Sequence, residues 1–105
     1  MTQETMRAVV EELRRRGIEV TLEYPGYITL ERGTCHANFG DANETFQGDA
    51  YDSEQDYLPI QTVESSIPSD TTDVQAVADF IAYYAHVLEE NMKSREEDPG
   101  PQGEI

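Results

Sequence analysis

Oxygen-bearing side chains recur at Asp41, Asn43, Thr45, Gln47, Asp49 and Asp52, a spacing that partly matches a calcium-binding EF-hand loop. The match breaks at Phe46, which stands where that loop needs glycine, and at Asp52, where the closing ligand is normally glutamate. Strands rather than helices are expected on both sides. The stretch therefore reads as an acidic loop and strand, with no metal. Cys35 and His36 supply a thiol and an imidazole in adjacent positions. On a strand, neighbouring side chains point to opposite faces, so the two cannot act as nucleophile and base. A buried cysteine and a surface histidine are expected instead. His86 falls beside Tyr83 and Glu90 by helical spacing, the pattern of a surface pair, and nothing in the spacing points to a zinc site. No glycine-rich phosphate loop and no serine-nucleophile motif is present. Carboxylates are so abundant that none stands out as a catalytic pair. The expectation is a protein that is not an enzyme and has no cofactor.

The elements that hold these residues carry charge of nearly one sign. Among 105 residues, 22 acids face 7 bases, for a formal net charge of −15. Between Gly17 and Asp70 the acids are Glu19, Glu23, Glu31, Asp41, Glu44, Asp49, Asp52, Glu54, Asp56, Glu64 and Asp70, opposed by Arg32 alone. Such a charge repels nucleic acid and anionic lipid and favours basic partners. A chain this long supports one core, kept small by a hydrophobic fraction of 37%. Cys35 is the single cysteine, so no internal disulfide forms. No apolar run approaches the roughly 20 residues of a membrane span, and the start of the sequence reads as an amphipathic helix rather than a secretory leader. The expected location is the cytoplasm.

Met6, Val9, Val10 and Leu13 recur at helical spacing, predicting a helix from about Gln3 to Arg16, capped by Thr2. Arg14, Arg15 and Arg16 in its last turn complement the helix dipole; a carboxylate or phosphate contact is the other reading. Gly17 and Ile18 suit a Schellman stop. Alternation then predicts strands at about Ile18–Tyr24, Tyr27–Glu31, Thr34–Phe39 and Glu44–Tyr51. The turns between them are Tyr24-Pro25-Gly26-Tyr27, Arg32-Gly33 and Gly40-Asp41-Ala42-Asn43. Gly48 is expected to weaken the fourth strand or mark a bulge. Residues 52–70 read as an extended connection that packs a few apolar side chains and adds an edge strand. Thr72 and Gln75 have capping-box spacing ahead of a long helix, about Asp73 to Met92. The tail from Lys93 is polar and rich in proline and glycine, and is expected to be disordered. The expected fold is α+β: two layers, with a helix, an antiparallel meander of three to four strands and a long helix on the sheet, all one domain over residues 1–92.

Outward side chains on a strand repeat every ~6.6–6.8 Å. Glu19, Glu23, Glu31, Glu44 and Asp49 on neighbouring strands could thus form a rigid carboxylate lattice, like a run of phosphates. The expected partner-binding set is Glu19, Glu23, Glu31, Asp41, Glu44, Asp49, Asp52, Glu54 and Asp56, with Tyr27, Tyr51 and Tyr57 as anchors that join apolar area to a polar tip. In size, acidity, helix–meander–helix order from Thr2 to about Met92 and lack of catalytic motifs, the chain resembles the small inhibitors encoded by phages and mobile elements, notably anti-CRISPR proteins. That resemblance implies a protein, monomeric or homodimeric, that inhibits a basic nucleic-acid-binding protein such as a CRISPR effector by blocking or mimicking nucleic acid. Two other readings stand beside it. One is an immunity protein or secretion-type chaperone offering Leu58, Ile60 and Val63 to a protein client. The other is an ordinary domain of a salt-adapted cell, in keeping with its single lysine, Lys93.

Overall fold

The computed structural model describes residues 1–23, 26–55 and 58–97. Helix α1 spans Gln3–Arg15, and Thr2 caps it by accepting a hydrogen bond from the Thr5 backbone N–H. It ends in the expected Schellman geometry: Ile18 N–H donates to the Leu13 carbonyl at 2.9 Å, Gly17 N–H to that of Arg14 at 2.9 Å, and Gly17 takes φ +82°. Met6, Val9, Val10 and Leu13 are buried, as their spacing predicts.

Strands β1 (Thr21–Glu23), β2 (Tyr27–Arg32), β3 (Cys35–Ala42) and β4 (Thr45–Asp52) form an antiparallel meander. Strands β5 (Leu58–Pro59) and β6 (Ser66–Pro68) both pair with the outer edge of β4, at its two ends. The sheet thus has six strands instead of three to four, the extra two being very short pieces of the connection. β1 is shorter than its alternation suggests. Ile18 is held by the end of α1, and the Val20 carbonyl accepts from the Arg14 guanidinium at 3.2 Å, so the chain joins the sheet only at Thr21. The turn expected at residues 40–43 lies further on. Gly40, Asp41 and Ala42 stay in β3, and Asn43 and Glu44 turn the chain with φ of 51° and 67°. Two consecutive residues at positive φ make the two-residue turn that suits the right-handed twist of a hairpin.

Gly48 marks no bulge, since the β3–β4 register runs unbroken through Phe39↔Gly48. Its lack of a side chain makes room instead: a Cβ there would stand 2.8 Å from the Phe39 ring and 2.9 Å from the Tyr84 ring.

Helix α2 covers Val74–Glu97. Its cap is Asp73, not Thr72. The Asp73 carboxylate accepts from the N–H groups of Gln75 (3.1 Å) and Ala76 (3.2 Å), which sets the helix start one residue later than a Thr72 cap requires. The helix passes the expected end at Met92 and takes in residues 93–97; the rest of the tail lies outside the described residues.

Both helices lie on one side of the sheet. Val77, Ala78, Phe80, Ile81, Tyr84, Ala85 and Leu88 of α2 are buried with Ile28, Leu30, Ala37, Phe39 and Phe46 of the strands. Phe39 is the hub, its ring centroid 4.9 Å from Tyr84, 5.9 Å from Phe80 and 6.3 Å from Phe46. The edge-on contacts with Tyr84 and Phe80 are the arrangement aromatic quadrupoles favour. The fold is α+β in two layers, and no helix of the described residues is long and apolar enough to cross a membrane.

Candidate functional site: the open face of the sheet

Alternation along each strand sends half its side chains into the helix layer and half to the other side, which neither α1 nor α2 covers. The register sets the open-face residues in rows across the strands. One row is Glu23 and Tyr27, with the Tyr27 ring lying across Gly40, where a Cβ would stand 2.7 Å from it. The next is Thr21, Thr29, Asn38 and Asp49. A third is Glu31, His36, Tyr51 and Pro59. In that row the His36 and Tyr51 rings stack at 5.2 Å, and His36 Nδ1 lies 3.5 Å from a Glu31 carboxylate oxygen. Thr29 donates to Glu23 at 3.4 Å.

The expected binding residues are thereby sorted. Glu23, Glu31 and Asp49 share the open face with Tyr27 and Tyr51. Glu19 is exposed just before β1, Glu44 sits at the tip of the β3–β4 hairpin, and Glu54 is exposed in a short 3-10 turn, Ser53–Gln55, after β4. Asp41 faces the helix side at the end of β3, ion-paired with the Met1 amino group. Asp52 is not a surface residue at all. It is 2% exposed and accepts from the Thr34 hydroxyl (2.9 Å), the Glu54 N–H (3.0 Å) and the Asn91 amide (3.4 Å), joining the β2–β3 turn, the end of β4 and α2. Asp56 and Tyr57 lie outside the described residues. The acids therefore form no lattice of their own. They alternate with threonine, asparagine, histidine and tyrosine, residues that the same parity could have placed beside them.

The bases are segregated more sharply than the acids. Arg7, Arg14 and Arg15 belong to α1, Arg16 caps its end, and Lys93 and Arg95 belong to α2. Arg32, on β2, pairs with Glu89 of α2 at 3.2 Å. Among the described residues, the open face carries neither lysine nor arginine.

The arginine triplet works inside the fold. Arg15 and Arg16 both pair with Glu12, and Arg16 reaches Asp79 (2.8 Å) and Gln75 (2.7 Å), tying the end of α1 to the start of α2. The hydrogen bond from Arg16 holds the Glu12 carboxyl below its ordinary value, and the same bond raises the Arg16 guanidinium.

Cys35 points into the core, where the Asn91 amide donates to its sulfur at 3.2 Å, while His36 points outward. Among the described residues no three histidine, cysteine or acidic side chains are placed to hold a metal ion. Compared with known protein families, curated proteins and solved structures, the chain matches none.

Proposed function

We propose that the chain is a non-catalytic binding protein that inhibits a basic nucleic-acid-handling protein by covering its nucleic-acid surface with the open face of the sheet. The observation that carries this is the segregation of charge: among the described residues, Glu23, Glu31 and Asp49 lie on a face with no lysine or arginine, where His36 stands beside Glu31, while the described lysine and arginines sit on the helices or pair toward them. Strand pairing fixes the backbone positions that carry these carboxylates, so a partner has no backbone to order there. Tyr27, 50% exposed, and the His36–Tyr51 stack add apolar area among the acids. The recognition is therefore partly electrostatic and weakens with salt. The partner class proposed includes CRISPR effectors and other proteins with a basic nucleic-acid groove, and the cytoplasm is where the two would meet.

The test is capture from a host lysate at low salt, comparing the wild type with the triple variant E23Q/E31Q/D49N. The expected result is retention of a basic nucleic-acid-binding protein that added DNA or RNA displaces and that the triple variant fails to hold. Retention that ignores all three changes overturns the proposal.

The client-binding alternative has an observation of its own, because Leu58 and Val63 are 58% and 94% exposed. Both lie away from the open face.

A further inference from the structure

The outer edge of β4 is covered at both ends and parted in the middle. β6 pairs with it from Thr45 to Gln47, and β5 pairs with Tyr51 and Asp52. Backbone bonds carry both pairings one residue further, from Gly48 N–H to the Ser65 carbonyl and from Ile60 N–H to the Ala50 carbonyl, each at 2.9 Å. Asp49 lies between them. There the connection leaves the edge toward the helix layer, where the Thr62 hydroxyl meets the Tyr84 hydroxyl at 3.3 Å and Val63 N–H donates to the Tyr83 hydroxyl at 2.9 Å.

This detour shapes the open face. Pro59 stands across from Tyr51, and Ser66 across from Gln47. In the row between, among the described residues, none pairs with Asp49 on its outer side. The row that runs Thr21, Thr29, Asn38, Asp49 is one side chain short there. A notch of about 260 Å³ results, lined by Asp49, Ala50, Tyr51 and Pro59. Tyr51 and Pro59 give it ring surface, and the His36 ring, stacked on Tyr51 at 5.2 Å, holds that tyrosine from the other strand. Ala50 is buried, so the exposed carboxylate of Asp49 is the one charge in the lining.

We propose that this notch takes one arginine side chain of the basic partner. The inference rests on the open-face reading and names the partner residue on which it turns. Charge selects a cation, because Asp49 repels an anion and a second copy brings a net charge of −15 against the same face. The lining selects arginine among cations. A guanidinium is flat, lies against ring surfaces and forks two N–H groups onto one carboxylate, whereas an ammonium is a hydrated point charge. The side chain stands where a continuous outer strand puts one, directly across from Asp49, the placement in which opposite charges pair across a sheet.

The experiment titrates the full chain at low salt with two synthetic glycine–lysine peptides, identical except that one carries a single central arginine in place of a lysine. Fluorescence anisotropy reads affinity, and amide NMR shifts read the contact residues. The expected result is a preference of about fivefold for the arginine peptide, with its extra shifts centred on residues 49–51 and 59. Asp49 is exposed, so D49N keeps the fold, and it should bring the two peptides within about twofold of each other. Y51L, checked by its melting curve, should do the same. E23Q, at the far corner of the face, should weaken both peptides alike and leave the preference standing. Equal affinity of the two peptides for the wild type, or a preference that survives D49N, overturns the arginine anchor, and the open-face reading then stands on open-face shifts shared by both peptides. Binding without any open-face shift overturns both. Shifts at residues 49–51 that grow with protein concentration in the absence of peptide put a second copy in the notch and overturn the proposed occupant.

Discussion

The Tyr84 hydroxyl donates to the Gly48 carbonyl across 3.0 Å, and the Tyr84 ring lies where a side chain on Gly48 would stand. The pair joins the middle of α2 to the middle of β4 and leaves the strand no room for a methyl group. G48A should destabilise by about 1–3 kcal/mol through overpacking against Phe39 and Tyr84. Y84F should cost about 1–3 kcal/mol, because it leaves a buried carbonyl without its donor. Urea denaturation of both variants reads these losses.

The same hydroxyl makes an alkaline prediction. Burial raises the Tyr84 phenol above its ordinary value of 10.0. Because the folded value is the higher one, its contribution to stability is fully present below 10.0 and is lost as pH rises through the folded value. Tyrosinate absorbance should therefore show a late ionising step above 10.0, together with unfolding, and Y84F should remove that step.

Glu12 and Arg16 give the acid-side counterpart. Arg16 lowers the Glu12 value, so the stabilisation is present above the ordinary carboxylate value of 4.5 and is lost as pH falls through the lower folded value. E12Q should lower Tm at neutral pH, and its deficit against wild type should shrink below pH 4.5. A Tm series against pH on the two proteins checks it; a constant deficit would mean that the ion pair does not act through titration.

The two helices and the first strands were legible because each carries its own period: Met6–Leu13 and Val77–Leu88 at helical spacing, Ile28–Leu30 and Cys35–Phe39 in alternation. Features that depend on distant residues were not. Gly48 looked like a weak point, and only Phe39 and Tyr84, contributed by other elements, explain it. Asp52 looked like one more surface acid, and its burial is set by Thr34 and Asn91, 18 and 39 residues away. Gly40-Asp41-Ala42-Asn43 has turn composition, yet the strand continues because β4 offers it partners up to Ala42. For the candidate face, alternation already named Glu23, Glu31 and Asp49. The segregation of bases emerged only when both helices proved to lie on the same side of the sheet.

At the β3–β4 hairpin, Glu44 carries a φ of 67°. A side chain in that region meets its own backbone, and the turn type favours glycine at its second residue. E44G should stabilise the protein by about 0.5–1 kcal/mol, while N43A should destabilise it by a comparable amount. Thermal melts decide this, and a less stable E44G would show that the Glu44 side chain contributes more than its backbone strain costs.

The final prediction concerns salt, because it separates two origins of the charge. With a net charge of −15, the fold repels itself at low ionic strength. The aromatic cluster around Phe39 and the clamp from Arg16 to Glu12, Asp79 and Gln75 need no bound cations. The chain should therefore be folded at low salt. Its Tm should rise by several degrees as the Debye length shortens toward about 8 Å near physiological ionic strength, then flatten. A domain of a salt-adapted cell would instead unfold at low salt and gain its structure only in molar salt. Circular dichroism melts over that range tell the two apart. Folding at low salt would count against salt adaptation as the origin of the charge, and a requirement for molar salt would assign the open-face carboxylates to the solvent.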